Sequence, residues 1–350
     1  MDKRTFLLIL TLFFYNSYGQ EYNKDLPENL SELFSDNEIM CISLKYSNKD
    51  IKKETNDSTF ITTNLKYKNP SNTWDSLEVR LRKRGHFRFD NCYFAPIKVK
   101  IKKKEANKTL FEGHKNLKLV LPCLIQRDNN DNIVKEYLAY KLYEIVSPYH
   151  FKSKLVQVTY EEIKGKNIKT HEIKGIFIED DKHVAKRIGG KVLKSNIHPL
   201  NHTPLESVRN SFFQYMIGNT DFSNAYLHNT KLIFLENQII PVPYDFDMAG
   251  MVNTSYATVS NINGEPLNEY GKVTDRVYRG FQRDPEFFTE VRLEFLGNRL
   301  AILGAIQECK PLFENESEYD STLEYIEEFF VIIANDKKYE KEILNEARTK

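Results

Sequence analysis

The chain has 350 residues, of which 41% are apolar, so it can bury a large core and is not expected to be disordered. Its 50 basic and 49 acidic residues leave a formal charge of +1, which excludes a global field that would attract nucleic acid or an anionic membrane. The length suits one large two-lobed domain or two ordinary domains.

The first residues are typical of a secretory signal peptide. Lys3 and Arg4 precede an apolar run over residues 6–15, and small residues follow up to Gly19. This pattern predicts cleavage near Gly19 and an exported protein, in the periplasm or at the cell surface. The apolar run is too short for an anchor, and no later segment reaches the roughly 18 uncharged residues that a transmembrane helix needs. No transmembrane anchor is therefore expected.

Four cysteines follow the predicted cleavage site: Cys41, Cys92, Cys123 and Cys309. In an oxidising compartment their even number permits two disulfides, in more than one arrangement. We favour a bond between Cys92 and Cys123, because both lie at strand ends in what reads as one sheet; the alternative is four buried thiols. The chain has no CxxC and no Cys/His ligand spacing, so no zinc site is predicted.

Short apolar runs and alternating patterns predict β-structure in the first half of the chain. Residues 40–46 and 60–67 read as strands, and alternation from Leu77 and over residues 95–102 predicts two more. Strands over residues 155–160 and 173–178 follow later.

Three arginines flank Gly85 in the stretch RKRGHFR: Arg82, Arg84 and Arg88. Glycine lets the backbone approach a ligand closely, and guanidinium groups match phosphate geometry, so this stretch is a candidate phosphate cover. The alternative, a solvated basic strand face, remains equally open. No GxGxxG or GxxxxGK is present, so neither a Rossmann fingerprint nor a P-loop is predicted.

Lys118 lies between two leucines in a predicted strand, so its side chain either points outward or is held inside to meet an anion. An amphipathic pattern over residues 134–146 predicts the next helix, with Glu136 near its start. Glu179, Asp180 and Asp181 end a later strand, where an acidic first turn of a helix is the ordinary interpretation.

The most informative stretch is residues 217–250. An amphipathic helix over residues 204–217 ends at Gly218, and Asp221 lies on the loop after it. A predicted hairpin over residues 232–242 then leads to Tyr244, Asp245 and Asp247. If the hairpin folds back, these carboxylates meet Asp221 and an Asn amide, and such a cluster repels itself unless a cation binds. The stretch therefore predicts a metal site, although Asp and Asn are also ordinary turn formers.

The remaining sequence predicts the helical end of the chain. Arg276, Arg279 and Arg283 either face an acidic substrate or are surface charge. One helix is predicted from Phe288 to Ile306, and another over residues 319–334.

The motifs GNTD, HN and PVPYDFD with the following AG resemble the active site of the protein-kinase-like superfamily, and more closely the CotH kinase family. The resemblance extends loosely from about Leu77 to about Gly280. It implies an α+β, two-lobed protein-kinase-like fold. Residues 20–178 would be an antiparallel β-rich N-terminal lobe with one helix, and residues 179–350 a mostly helical C-terminal lobe, after a signal peptide over residues 1–19.

Site roles follow from this resemblance. It implies Asp221 as the catalytic base, with Asn229, Asp245 and Asp247 as ligands of Mg or Mn. The chain lacks a His-Arg-Asp triplet, and its longer spacing from Asp221 leaves Asn224 open as an alternative to Asn229. His228 is expected to support the loop, and the alternatives are a second base or a donor to phosphate.

The nucleotide would be held by Arg84, by an ion pair of Lys118 with Glu136, and by a segment near Glu179 that meets the adenine. Lys98 and Lys100 are alternatives to Lys118, and Glu144 is an alternative to Glu136.

The expected function is transfer of a phosphoryl group from ATP or another nucleoside triphosphate to an unknown acceptor, which is a protein, a glycan or a lipid. A nucleic-acid partner is not expected. One alternative is a pseudokinase or cell-surface binding protein without turnover. Another is a glycosyltransferase in which Asp245 and Asp247 form a DxD motif, although the early parallel sheet of such an enzyme is not found.

Overall fold

The computed structural model describes residues 31–85, 92–125, 128–262, 265–266 and 271–349. The predicted signal peptide and Arg88 lie outside these residues. Seven strands form a closed barrel in the order β1-β2-β3-β4-β5-β7-β6. They are β1 (Met40–Tyr46), β2 (Ile61–Lys68), β3 (Trp74–Lys83), β4 (Ile97–Ile101), β5 (Asn116–Val120), β6 (Ser153–Lys164) and β7 (Asn167–Glu179).

The barrel closes through a parallel pair of strands. Residues from Met40 to Tyr46 in β1 pair in parallel with residues from Val156 to Glu162 in β6, whereas the other neighbouring strands of the barrel are antiparallel. The sheet is therefore mixed and has no open edge.

The predicted two-lobed protein-kinase-like fold, with an antiparallel N-terminal lobe and a helical C-terminal lobe, is wrong. The closed mixed barrel and the helices that accompany it do not match that architecture. Alternation reveals a strand and its buried face but not its partner. The β1–β6 pair joins segments that are far apart along the chain, and no local pattern encodes it.

Apolar side chains at alternate positions of the strands fill the barrel interior. β1 buries Ile42 and Leu44, β3 buries Val79 and Leu81, and the interior positions of β4 are likewise apolar. These side chains belong to one continuous apolar core. The residues between them face outward and include many lysines and arginines.

Nine α-helices lie in the described part of the chain. They are α1 (Asn48–Glu54), α2 (Lys103–Ala106), α3 (Asp128–Val146), α4 (Asp181–Arg187), α5 (Pro204–Met216), α6 (Pro285–Gly297), α7 (Arg299–Glu308), α8 (Glu316–Ala334) and α9 (Asp336–Tyr339). Short 3₁₀ turns cover Glu32–Phe34, Pro199–Asn201 and Lys310–Leu312, and a π turn covers Glu340–Leu344. The long helices α3, α5, α6 and α8 share a second apolar core outside the barrel.

A second sheet of three strands accompanies these helices. It consists of β8 (Lys191–Leu193), β9 (Thr230–Leu235) and β10 (Gln238–Pro243), in the order β10-β9-β8. A short pair, β11 (Asn261–Ile262) and β12 (Glu265–Pro266), follows. The segment after residue 179 is therefore not purely helical.

The hairpin predicted over residues 232–242 is present as β9 and β10. Glu236 and Asn237 have φ of 47° and 64°, which gives a two-residue turn whose twist suits antiparallel strands. The helix predicted from Phe288 to Ile306 is instead two helices, because the chain breaks at Asn298 between α6 and α7.

The predicted bond between Cys92 and Cys123 is confirmed: the two residues form a disulfide with Cα atoms 4.4 Å apart. Cys41 and Cys309 are free thiols. Among the helices described, none has the length and apolar character needed to cross a membrane.

Candidate active-site cavity

One cavity brings together most of the polar residues predicted to act in chemistry. Its volume is about 830 Å³, and it lies between the end of β3 and the loops around the β9–β10 hairpin. Its lining includes the side chains of Arg84, Asp221, His228, Asn229, Asp245 and Asp247. The convergence expected from the hairpin therefore exists.

Asp221 is positioned by the loop that follows α5. Gly218 has φ of 63°, and a Cβ at this position would clash with the Tyr325 hydroxyl, so the turn requires glycine. The Asn219 side chain accepts a hydrogen bond from the Asp221 N–H at 2.9 Å and donates to Gln214 at 2.9 Å. The loop is thus fixed to the helix before it.

The Asp221 carboxylate meets two side chains of the same loop. His228 Nε2 lies 3.0 Å from Oδ1, and Asn229 Nδ2 donates to Oδ2 at 3.0 Å and to the Asp221 carbonyl at 2.7 Å. The hydrogen bond with Asp221 raises the pKa of His228 above its usual value, although partial burial opposes this. His228 therefore contacts and orients the carboxylate.

The hairpin carries Asn229 and Asp245 to one place. Thr230 pairs with Pro243, so the residues that flank the hairpin are neighbours, and the Tyr244 N–H donates to the Asn229 carbonyl at 3.1 Å. Asn229 and Asp245 both have left-handed backbones, with φ of 50° and 65°. Such conformations persist where surrounding contacts impose them, and they cluster at functional sites.

The Asp245 backbone is held by a buried tyrosine. Its N–H donates to the Tyr140 hydroxyl at 2.9 Å, and burial raises the pKa of Tyr140 well above its usual value, so that hydroxyl stays neutral. The Asp245 carboxylate forms no hydrogen bond or ion pair with any described residue. It is thus a cavity carboxylate that has no protein cation as a partner among the described residues.

Asp247 lies between this cavity and a smaller one. Its carboxylate accepts a hydrogen bond from the Tyr256 hydroxyl at 2.9 Å, and its carbonyl accepts from Thr254 at 3.1 Å. Glu136 lines the smaller cavity beside Asp247. The Asp247 side chain is therefore held by a residue of its own loop, whereas the Asp245 carboxylate has no such hydrogen bond with a described residue.

The oxygen atoms of these cavity side chains suit a hard divalent cation such as Mg²⁺. Within the described ranges, no three His, Cys, Asp or Glu side chains are placed to hold a metal by themselves. Mg²⁺ ordinarily needs only one or two carboxylates, with substrate phosphates and water completing its shell. The Asp245 carboxylate and the Asn229 amide oxygen match that requirement.

Asn224, the alternative to Asn229, has another role. Its side-chain oxygen accepts hydrogen bonds from Asn210 at 3.2 Å and from Thr230 at 3.0 Å, and the side chain is buried behind the loop. Asn229 instead lines the cavity. The geometry supports Asn229 as the candidate ligand.

Lys118 points out of the barrel and is nevertheless buried. Its ammonium lies 4.4 Å from the centre of the Phe151 ring and 4.3 Å from that of Tyr244, which lines the cavity. Nζ has no hydrogen-bond partner in the part of the chain described. Burial, with help from Arg84, lowers its pKa to about 7.

Lys118 forms no ion pair with a described residue, so the predicted ion pair with Glu136 is not present among these residues. The alternatives have other partners. Lys98 lies 3.7 Å from Asp180, Lys100 lies over the Phe60 ring at 5.5 Å, and Glu144 pairs with Lys141 and Lys152. Of the three lysines, Lys118 alone is buried, and its neighbour Tyr244 lines the cavity.

Glu179 is occupied by an internal ion cluster. His183 Nδ1 lies 2.6 Å from its carboxylate, Arg187 donates to both oxygens at 3.1 and 3.0 Å, and the Lys152 N–H donates at 3.0 Å. Burial alone would raise the pKa of Glu179, but these hydrogen bonds bring it down to about 2. Its side chain does not line the cavity.

This cluster predicts an acid-sensitive contribution to stability. Because the pKa of Glu179 is 4.5 in a free chain and about 2 when folded, its contribution is complete above pH 4.5 and is lost as the pH falls toward 2. We expect Glu179→Gln to lower the free energy of unfolding by about 3 kcal/mol at pH 7 and by progressively less below pH 4.5. Urea unfolding from pH 7 to pH 3 measures this. The exposed Glu172→Gln on the same strand is the control, and equal losses at every pH would contradict the assignment.

Arg84 is the one arginine of its stretch that lines the cavity among those described. Arg82 instead pairs with Asp57 at 2.7 Å. Gly85, with φ of 76°, also lines the cavity and leaves open space where a Cβ would lie. These positions support the phosphate-cover interpretation for Arg84.

The sequence did not single out Tyr140 or Arg348. Tyr140 accepts a hydrogen bond from the Asp245 N–H, and Arg348 lines the cavity. Arg279, for which surface charge was the alternative to facing an acidic substrate, also lines the cavity. Arg348 arrives through a parallel bridge to Phe281, which no local pattern reveals.

Comparison with known proteins adds no identification: no protein-family model matches the chain, and a search of curated proteins finds no match. The interpretation of the cavity depends on its own residues.

Proposed function

We propose that the protein is an exported phosphotransferase that moves the terminal phosphoryl group of a nucleoside triphosphate to an acceptor hydroxyl with the help of Mg²⁺ or Mn²⁺. The observation that carries the proposal is the convergence of Asp221, Asn229 and Asp245 in one cavity. The likeness to the CotH kinase family is part of the proposal and depends on the same motif residues. Export is supported by the signal-like first residues and by the disulfide.

The geometry suits phosphoryl transfer, which depends on positioning and charge more than on covalent chemistry. Asp221, held by His228 and Asn229, accepts the proton of the acceptor hydroxyl. The hydroxyl oxygen forms a bond to the terminal phosphorus as the bond from that phosphorus to the bridging oxygen breaks. The nucleoside diphosphate leaves with the electron pair.

Arg84 supplies positive charge for the triphosphate on the barrel side of the cavity. Lys118, which contacts the cavity residue Tyr244, adds to that charge when it is protonated. Asn229 and Asp245 would hold the divalent cation, which when bound neutralises charge on the phosphate oxygens. Tyr140 fixes the backbone of Asp245, so the segment that carries this carboxylate is held before any nucleotide binds.

A thermal-shift screen tests the proposal. Binding stabilises the folded state by mass action, so Mg–ATP or Mn–ATP should raise the melting temperature, whereas sugar nucleotides should not. Asp245→Asn should abolish the part of the shift that requires the metal, because it removes the free carboxylate without changing side-chain shape. The exposed Asp320→Asn is the matched control.

Other outcomes decide against the proposal. A shift with sugar nucleotides alone would favour a DxD glycosyltransferase. No shift with any nucleotide would favour a binding protein without turnover. A metal-dependent shift that survives Asp245→Asn would remove Asp245 as the ligand.

A further inference from the structure

Two arginines lie at the Asp221 end of the cavity and have no carboxylate partner. Arg279 Nη1 donates to the carbonyls of Phe222, at 2.8 Å, and Thr220. Arg348 donates to the Arg279 carbonyl and lies over the Phe281 ring at 4.3 Å. Neither guanidinium forms an ion pair with a described residue, so contacts with neutral groups fix both charges in place.

The closeness of the two guanidinium groups is unfavourable without an anion. Burial, together with the neighbouring Arg348, lowers the pKa of Arg279 to about 10, while Asp221 opposes this. Guanidinium groups bind carboxylates through paired hydrogen bonds, and both arginines line the cavity. Two preorganised cations on one cavity wall form a site for an anionic group.

The arginine pair lies beside the loop of the proposed general base. Arg279 donates to the carbonyls of Thr220 and Phe222, which are the residues on either side of Asp221. Arg84, which is predicted to hold the triphosphate, follows β3 instead and lines the same cavity. The pair and the predicted triphosphate site therefore belong to different segments of the chain.

The wall of the cavity also offers a strip of free backbone. Thr258, Val259 and Ser260 line the cavity, are not deeply buried, and make no backbone hydrogen bond with a described residue. Thr220 bonds to the Ser260 hydroxyl at 3.1 Å, which places this strip beside the Asp221 loop. Backbone donors and acceptors that face a cavity without a partner bind the backbone of a peptide.

We propose that the acceptor is an extended acidic peptide, with its backbone along Thr258–Ser260, an acidic side chain held by Arg279 and Arg348, and a neighbouring hydroxyl directed to Asp221. This inference deepens the proposed function and depends on it for the role of the hydroxyl. The free backbone strip favours a peptide over a glycan, and the arginine pair favours an acidic one.

Fluorescence anisotropy without nucleotide tests the binding part by itself. The probes are three labelled peptides with a central serine, flanked by glutamates, by alanines or by lysines. We expect the glutamate peptide to bind at least about tenfold more tightly than the alanine peptide, and Arg348→Gln to remove about tenfold of its affinity. Arg348→Lys should restore part of that affinity. The alanine peptide should be unaffected, and the exposed Arg299→Gln is the control.

Arg348 is chosen because Arg279 also holds the carbonyls on either side of Asp221. Equal affinity for glutamate and alanine peptides on the unmodified protein would overturn the proposal, and this comparison needs no variant to fold. A preference for an oligogalacturonate over every peptide would also overturn the proposal. A loss of Mg–ADP affinity in Arg348→Gln that equals its loss of peptide affinity would overturn it as well. Because peptide binding is measured without nucleotide, its failure is separate from failure of the nucleotide screen.

Discussion

Replacing Asp221 with asparagine is expected to slow phosphoryl transfer by roughly 10²–10⁴-fold, the contribution typical of a positioned general base. Asn retains the shape and accepts the hydrogen bond from Asn229, so the loop should keep its conformation. Affinity for Mg–ATP should be nearly unchanged, because Asp245 and Asn229 remain. The rate is measured as phosphate transferred to the glutamate-flanked serine peptide, or to the protein itself.

The matched comparison is His228→Gln. His228 contacts the same carboxylate at 3.0 Å but is not the group that accepts the proton in the proposed mechanism. Its loss should therefore affect the rate much less than Asp221→Asn. A variant at Asp221 that transfers phosphate at the rate of the unmodified protein would show that the proton goes elsewhere. Equal losses of rate and of Mg–ATP affinity would instead make Asp221 a nucleotide ligand.

The candidate site was more accessible to sequence reasoning than the fold. Asp221, Asn229 and Asp245 lie on both sides of a single hairpin, so predicting that hairpin was enough to bring them together. The two-residue turn at Glu236 and Asn237 is local chemistry that a sequence displays directly. Local structure thus carries most of the site.

The barrel depends on contacts that are distant in the chain. Residues of β1 read correctly as a strand, but their parallel partner is β6, and alternation does not distinguish that partner from any other. The resemblance implied a different architecture for the same strands. Because strand pairing is set by the whole core rather than by one segment, the closed barrel could not be read from the alternation.

Residues that complete the site from outside the hairpin were also out of reach. Tyr140 lies on a helix and contacts the Asp245 backbone, and Arg348 lies on a parallel bridge and lines the cavity. Both arrangements arise only through tertiary packing. The alternation around Lys118 left open whether its side chain points outward or is held inside. It could not predict that the outer face of the barrel is itself covered at this point, which makes the outward lysine a buried one.

The burial of Lys118 predicts a conflict between stability and binding. A lysine normally titrates near pH 10.5, but burial lowers the pKa of Lys118 to about 7, so its charged form opposes folding below pH 7. The Phe151 and Tyr244 rings offset part of that cost through cation–π attraction. We therefore expect Lys118→Met to raise the free energy of unfolding by roughly 1–3 kcal/mol at pH 6, with a gain that shrinks as the pH rises above 7.

The same substitution should weaken Mg–ATP binding by about tenfold, since it removes a cation beside the predicted triphosphate site. Lys231→Met is the matched control, because Lys231 also lies over the Tyr244 ring, at 5.2 Å, but is only half-buried. Urea unfolding at pH 6 and pH 9 and nucleotide titration of both variants separate the two effects. A residue that is kept although it lowers stability indicates a functional role. If Lys118→Met instead lowers stability and leaves nucleotide affinity unchanged, Lys118 is a packing residue.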